Sequence, residues 1–181
     1  PLGLNESEGP AIQAASYRAV IIRRSYPDLI DFRNRCMQLY PQVVPGVRWK
    51  ESESCFIFPS GARITLRHLR DEHDLQHFQG QELQYVGWDE LTHQPSPSLY
   101  EYLKSRLRAV VTASGTLKKY SRATTNPGGP GHEWVKEHWR IPDEGTDTCF
   151  KVEVEVKVPG LPTRTETRWR RFIAARVTDN P

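Results

Sequence analysis

Asp89 and Glu90 stand side by side at the end of the apolar run Leu83-Gln84-Tyr85-Val86-Gly87-Trp88. Two carboxylates at the mouth of a buried strand can divide the work of phosphoryl chemistry: one holds a magnesium ion and the next activates the attacking water. The pair alone is a short signal, since any strand that runs into a solvated turn can show it. Two other segments give it weight. Upstream lies Tyr17-Arg18-Ala19-Val20-Ile21-Ile22-Arg23-Arg24-Ser25-Tyr26-Pro27-Asp28-Leu29, and downstream Arg122-Ala123-Thr124-Thr125-Asn126-Pro127-Gly128-Gly129-Pro130-Gly131-His132. Each reads as a strand followed by polar residues. In an open α/β sheet ligands gather at the carboxyl ends of the strands, so Asp89-Glu90 and Thr124-Thr125-Asn126 would meet at one edge.

Taken in order with the closing Arg171-Phe172-Ile173-Ala174-Ala175-Arg176-Val177-Thr178-Asp179-Asn180-Pro181, these blocks resemble the P-loop, RecA-like ATPase domain of the large terminase subunit of tailed bacteriophages, from about Tyr17 to Pro181. The likeness is most specific at Gly80-Gln81-Glu82, Gly87-Trp88-Asp89-Glu90-Leu91-Thr92 and Thr125-Asn126-Pro127-Gly128-Gly129-Pro130-Gly131-His132. It implies a P-loop NTPase of the additional-strand, catalytic-glutamate type, with ATP as substrate and Mg2+ as cofactor. Asp89 would hold the magnesium through water, and Glu90 would orient and deprotonate the attacking water. Thr124, Thr125 and Asn126 would sense the γ-phosphate, with Gly128-Gly129-Pro130-Gly131 as a hinge. Arg23 and Arg24 would reach nucleotide or a neighbouring subunit. The resemblance further implies a ring of like subunits, double-stranded DNA as cargo, the portal protein and small terminase subunit as partners, and the host cytoplasm as the place of action.

One departure matters as much as the match. No Gly-x-x-x-x-Gly-Lys-[Ser/Thr] occurs in the chain, and Pro1 to Ser16 carries Glu6 and Glu8 but no lysine. Such a loop works because backbone N–H groups and one lysine wrap the β- and γ-phosphates. The expectation is therefore an incomplete ATPase domain, inactive alone, over residues 17–181, with residues 1–16 a tag remnant or disordered segment. A non-catalytic DNA-binding or scaffold module with a degenerate ATPase fold is the alternative. An arginine-rich RNA-binding domain is a third, for which only Arg168–Phe172 offers interleaved aromatic and basic residues.

Charge is uneven. Residues 1–90 hold 10 basic against 12 acidic groups, and residues 91–181 hold 15 against 10. Arginines outnumber lysines by 18 to 7, which suits bidentate contact with phosphate. Arg168, Arg170 and Arg171 form the best candidate for a DNA or subunit contact, with an amphipathic strand as the plainer reading. Cys36, Cys55 and Cys149 are too few and too scattered for a zinc ribbon or a disulfide framework. No apolar run approaches the length of a membrane span.

The elements that must position these residues alternate between strand and helix. Arg18–Arg23 reads as a buried strand, and Pro27 opens a helix that Pro41 should stop. Ser54–Phe58 and Arg63–His68 read as a hairpin insertion around Pro59-Ser60-Gly61. Asp71–Gln79 is a polar helix or loop and Leu83–Trp88 a strand, after which Ser96-Pro97-Ser98 caps a helix to about Val111. Lys119–Thr125 is a strand and Gly131–Trp139 a short helix. Phe150–Val158 and Thr163–Arg170 read as antiparallel partners, and Phe172–Val177 as a last strand. The fold class is α/β, with a mostly parallel sheet flanked by helices, incomplete at the N-terminus. Without a phosphate-loop strand beside it, Phe172–Val177 should pair elsewhere or leave an exposed edge.

Overall fold

The structure is a computed structural model that describes residues 4–5, 9–112, 115–156 and 162–175. The chain forms two compact units, Pro1–Gly131 and His132–Pro181, where the sequence suggests one domain over residues 17–181. In chain order the first unit contains β1 (Leu4–Asn5), β2 (Gly9–Pro10), β3 (Arg18–Arg23), α1 (Tyr26–Val43), β4 (Arg48–Lys50), β5 (Cys55–Ile57), β6 (Arg63–His68), β7 (Tyr85–Trp88), α2 (Ser98–Lys104), β8 (Val110–Thr112), β9 (Gly115–Leu117) and β10 (Tyr120–Ala123). The second contains α3 (His132–Trp139), β11 (Thr148–Val156) and β12 (Arg164–Phe172).

Six strands of the first unit form one sheet in the order β10-β7-β3-β6-β5-β4. The pairs β10–β7, β7–β3 and β3–β6 are parallel, while β6–β5 and β5–β4 are antiparallel. The fold is thus α/β with a mixed sheet, three of whose five pairings are parallel. The predicted hairpin exists as β5 and β6, but it is no insertion, because β6 also pairs with β3 and carries the sheet onward. β3 lies in the middle, which explains its unbroken apolar run: Ala19, Val20, Ile21 and Ile22 are all buried.

Strand alternation sends Ala19 and Ile21 to one face, where they join Tyr17, Phe56, Ile64, Leu66 and Tyr85 in the main core. The helix α1 covers this face. Ser25 caps it, its Oγ accepting from the Asp28 N–H, and Leu29, Phe32, Cys36 and Tyr40 recur at helical spacing against the sheet. Pro41 lies inside the last turn rather than ending the helix, which runs to Val43. Ile12, expected to lie outside the fold with residues 1–16, is buried in the same core. Burial pushes the Tyr85 hydroxyl up to about 12, so the ring packs as a neutral group against Tyr120.

Val20, Ile22, Val86 and Trp88 point to the opposite face, where α2 buries Leu99, Tyr100 and Leu103. The ring centroids of Trp88 and Tyr100 are 5.8 Å apart. α2 stops well short of the predicted Val111. The Ser105 hydroxyl donates to the Tyr102 carbonyl at 2.6 Å, competing with the helix's own bonding, and β-branched Val110, Val111 and Thr112 then enter the β8–β9 hairpin. That hairpin and β4 are not anticipated by the sequence pattern.

In the second unit β11 and β12 pair antiparallel over nine residues each, from Thr148↔Phe172 to Val156↔Arg164. Among the described residues no separate strand follows β12. Phe172 closes β12, Ile173–Ala175 are not in a strand, and Arg176 and Val177 lie outside the described residues, as does Val158. Within the main sheet, β10 is an end strand among the described residues.

Gly87 on β7 is tightly packed. A Cβ there would sit 2.7 Å from Ile21 Cδ1 and 2.8 Å from Tyr85 Cε1. Overpacking of that kind costs about 1–3 kcal/mol. Gly87→Ala is expected to lower unfolding free energy by about that amount in urea denaturation. An unchanged midpoint would show that the β3–β7 contact is looser than described.

Candidate functional site

Parallel register brings the ends of three strands level. Trp88 pairs with both Ile22 and Ala123, so Arg23, Asp89 and Thr124 leave β3, β7 and β10 at one edge. The backbone carries this alignment one residue beyond the strands. The Asp89 N–H donates to Ile22 O at 2.9 Å, the Thr124 N–H to Trp88 O at 2.8 Å, and the Leu91 N–H to Thr124 O at 3.0 Å.

Asp89 is engaged through both oxygens. The Thr124 hydroxyl donates to Oδ1 at 2.6 Å, and Arg23 Nε donates to Oδ2 at 2.6 Å. Arg23 Nη2 is paired with the same Oδ2. Arg23 Nη1 turns the other way and donates to the Asp28 carbonyl in the first turn of α1, at 3.0 Å. Glu90 adopts φ 57 and ψ 54, the left-handed region that side-chain-bearing residues rarely enter. Its Oε1 accepts from Asn126 Nδ2 at 3.2 Å.

A second knot joins the two loops below the acidic pair. The Thr92 N–H donates to Thr125 Oγ1 at 3.1 Å, the Thr125 hydroxyl donates to Thr92 Oγ1 at 2.8 Å, and the Thr92 hydroxyl donates to Asn126 O at 3.2 Å. The Thr92 carbonyl in turn accepts from the Gly131 N–H at 2.8 Å. Gly129 passes so close that a Cβ on it would lie 2.8 Å from that carbonyl oxygen, and its φ is +83. Only glycine fits there, so the turn rests on the loop after β7. Arg24 Nη1 donates to the His93 carbonyl at 2.7 Å.

These groups enclose a cleft of about 400 Å³, lined among others by Arg23, Arg24, Asp89, Glu90, Asn126 and Gly129. Its size suits a small polar ligand. Among the described residues no group of three His, Cys, Asp or Glu side chains is placed to cage a metal ion. Asp28, Asp89 and Glu90 are the acidic residues among those that line the cleft.

Asp89, Glu90, Thr124, Thr125, Asn126, Arg23 and Arg24, all named from sequence, are brought together by the fold. Asp28, Thr92 and His93 also belong to the cleft or its support and are missed by the sequence reading. Thr92 has a faint signal, its place two residues after the acidic pair. Its partnership with Thr125 depends on β7 and β10 being neighbours, which periodicity does not reveal. Arg168, Arg170 and Arg171 belong to the second unit and do not form one patch. Arg168 and Arg170 share a face of the ribbon, where Arg168 donates to Glu166 Oε2 at 3.2 Å and Arg170 to the His138 carbonyl at 3.0 Å. Arg171 is exposed on the opposite face with Trp169, whose ring lies 5.0 Å from Lys151 Nζ.

The arrangement is that of an α/β protein with an acidic pair, hydroxyls and arginines gathered at the carboxyl edge of parallel strands. A family model described as "Terminase large subunit, T4likevirus-type, N-terminal" matches residues 7–167, and the chain belongs to that family. Membership gives it a part in a phage DNA-packaging motor. No curated protein and no solved structure matches it significantly. No helix among the described residues is long and apolar enough to cross a membrane.

The left-handed backbone at Glu90 costs about 1–2 kcal/mol in a residue that carries a Cβ. Glu90→Gly should therefore unfold at higher denaturant than Glu90→Ala, by about 1 kcal/mol in free energy. Equal stabilities for the two variants would mean that the turn is not strained.

Proposed function

We propose that the cleft is the hydrolytic edge of a P-loop-type ATPase of the catalytic-glutamate class, which drives double-stranded DNA into a capsid. The observation that carries this reading is the convergence of Asp89, Glu90 and Asn126 on one cleft, with separate partners for the two carboxylates: Thr124 for Asp89 and Asn126 for Glu90. Asp89 has the donor chemistry for Mg2+, which is held by one or two carboxylates and completed by waters and substrate phosphate rather than by a protein cage. Bound there, the ion supplies charge neutralisation at the phosphate oxygens.

The chain's own residues then have distinct tasks. Glu90 orients a water and takes its proton, with Asn126 steering the carboxylate through Oε1. Thr124 keeps the Asp89 carboxylate turned into the cleft. Thr125 and Asn126 tie the loop after β10 to Thr92, so a change at the γ-phosphate side of the cleft is felt in the turn at Gly128-Gly129-Pro130-Gly131. In this reading Arg24, which lines the cleft, meets nucleotide or an adjacent subunit. The cradle for the β- and γ-phosphates is supplied in this reading by residues outside these 181, since the Gly-x-x-x-x-Gly-Lys run does not occur among them. Arg168, Arg170 and Arg171 are assigned to DNA or subunit contact. The portal protein, the small terminase subunit and further copies in a ring are the partners, and the host cytoplasm is the setting.

Steady-state turnover of the complete large subunit tests this. Glu90→Gln is expected to cut ATP hydrolysis by about 10²-fold or more while nucleotide still binds. Thr125→Val is expected to leave hydrolysis and lose DNA translocation. Wild-type turnover in Glu90→Gln would remove Glu90 from the chemistry.

A further inference from the structure

The Arg23–Asp89 ion pair is at odds with a carboxylate waiting for a cation. Two nitrogens of the guanidinium converge on Asp89 Oδ2, and the Thr124 hydroxyl occupies Oδ1. The pair is well shielded, with side chains 22% and 20% exposed. Charge-assisted bonds in that setting are stronger than those of an exposed pair. Both residues line the cleft, and like charges repel, so a divalent ion and the guanidinium cannot share Oδ2. Arg23 has a second anchor, however: Nη1 bonds the Asp28 carbonyl, which Asp89 does not touch.

We propose that Arg23 is an internal counter-ion, displaced from Asp89 when a divalent cation binds there. The inference rests on the assignment of Asp89 as the cation ligand. Displacement leaves the guanidinium tethered at the start of α1 and still lining the cleft, free to meet the anionic group that accompanies the cation. Cation and anion sites are thereby linked. Without the cation, Arg23 is spent on Asp89; with it, the positive charge becomes available to phosphate oxygens. Linkage makes the coupling reciprocal, so an anion that engages Arg23 strengthens cation binding by the same factor.

The probe is Mn2+ alone, read as paramagnetic broadening of the Glu90 and Gly129 amide signals in NMR spectra of the 181-residue chain. Removing one charge-assisted competitor should lower the Mn2+ concentration for half-broadening by about tenfold in Arg23→Gln. Arg23→Lys, which keeps the charge but loses the forked contact, should fall between. Asp89→Asn should abolish the local broadening in either background. In the unsubstituted chain, diamagnetic Mg2+ should move the Arg23 Nε–H signal toward that of a solvent-exposed arginine, an observation that needs no variant. Equal Mn2+ dependence in Arg23→Gln and the parent, with broadening still lost in Asp89→Asn, would overturn the exchange and leave Asp89 as the cation ligand. Broadening in Arg23→Gln that ignores Asp89 would overturn both.

Discussion

The parallel pairing of β7 with β3 on one side and β10 on the other fixes where every polar group of the cleft emerges. Backbone bonds from Asp89 to Ile22 and from Thr124 to Trp88 extend the ladder just past the strands. They bring an acid, a hydroxyl and an arginine from three distant segments within hydrogen-bond reach. A slip of one residue in either pairing would send the buried side chains of β7 to the wrong face. The same register that packs Val86 and Trp88 against the α2 side therefore holds Asp89 at the cleft. Packing and site geometry are one constraint.

Around that frame the loops are tied rather than free. Glu90 sits in a left-handed turn that no glycine eases, and its carboxylate is steered by Asn126. Thr92 and Thr125 exchange bonds through both hydroxyls and one backbone amide. Gly129 closes against the Thr92 carbonyl, where any side chain would collide. Strain at a residue that bears a carboxylate persists only when its surroundings over-determine the backbone, and such strain tends to cluster at functional sites. Here the surroundings are the 3-10 turn Leu91–His93, the bond from Leu91 to Thr124, and the threonine pair. The acidic pair is thus held by two strands and two loops at once. A disturbance at Asn126 reaches Glu90 through one bond and Gly131 through Thr92.

Much of this was legible in the residues. The apolar run of β3, the helix start at Pro27 and the helical spacing of Leu29, Phe32, Cys36 and Tyr40 each encode a local preference that the tertiary fold agrees with. The acidic pair and the Thr-Thr-Asn turn announced themselves by following strand-like runs. What stayed hidden depends on pairing across the chain. The antiparallel continuation from β5 to β4 is invisible to periodicity, because β4 is only three residues long. The bond from Arg23 to Asp89 needs β3 and β7 to be neighbours, and the separation of Arg171 from Arg168 and Arg170 follows from strand alternation in a ribbon whose partner was known only roughly. Phe172 read as the start of a new strand because its apolar neighbours suggested one, yet it closes β12 opposite Thr148.

Calorimetry of Mg-ATP binding to the complete large subunit, set beside Asp89→Ala, addresses the central claim most directly. If Asp89 at the end of β7 is the residue that engages the cation, the substitution removes the magnesium-dependent part of the affinity and leaves any metal-free nucleotide binding in place. An affinity for Mg-ATP that is the same with alanine at this position would mean that the acidic edge of the sheet is not where the cation goes, and the assignment of the cleft would fail with it.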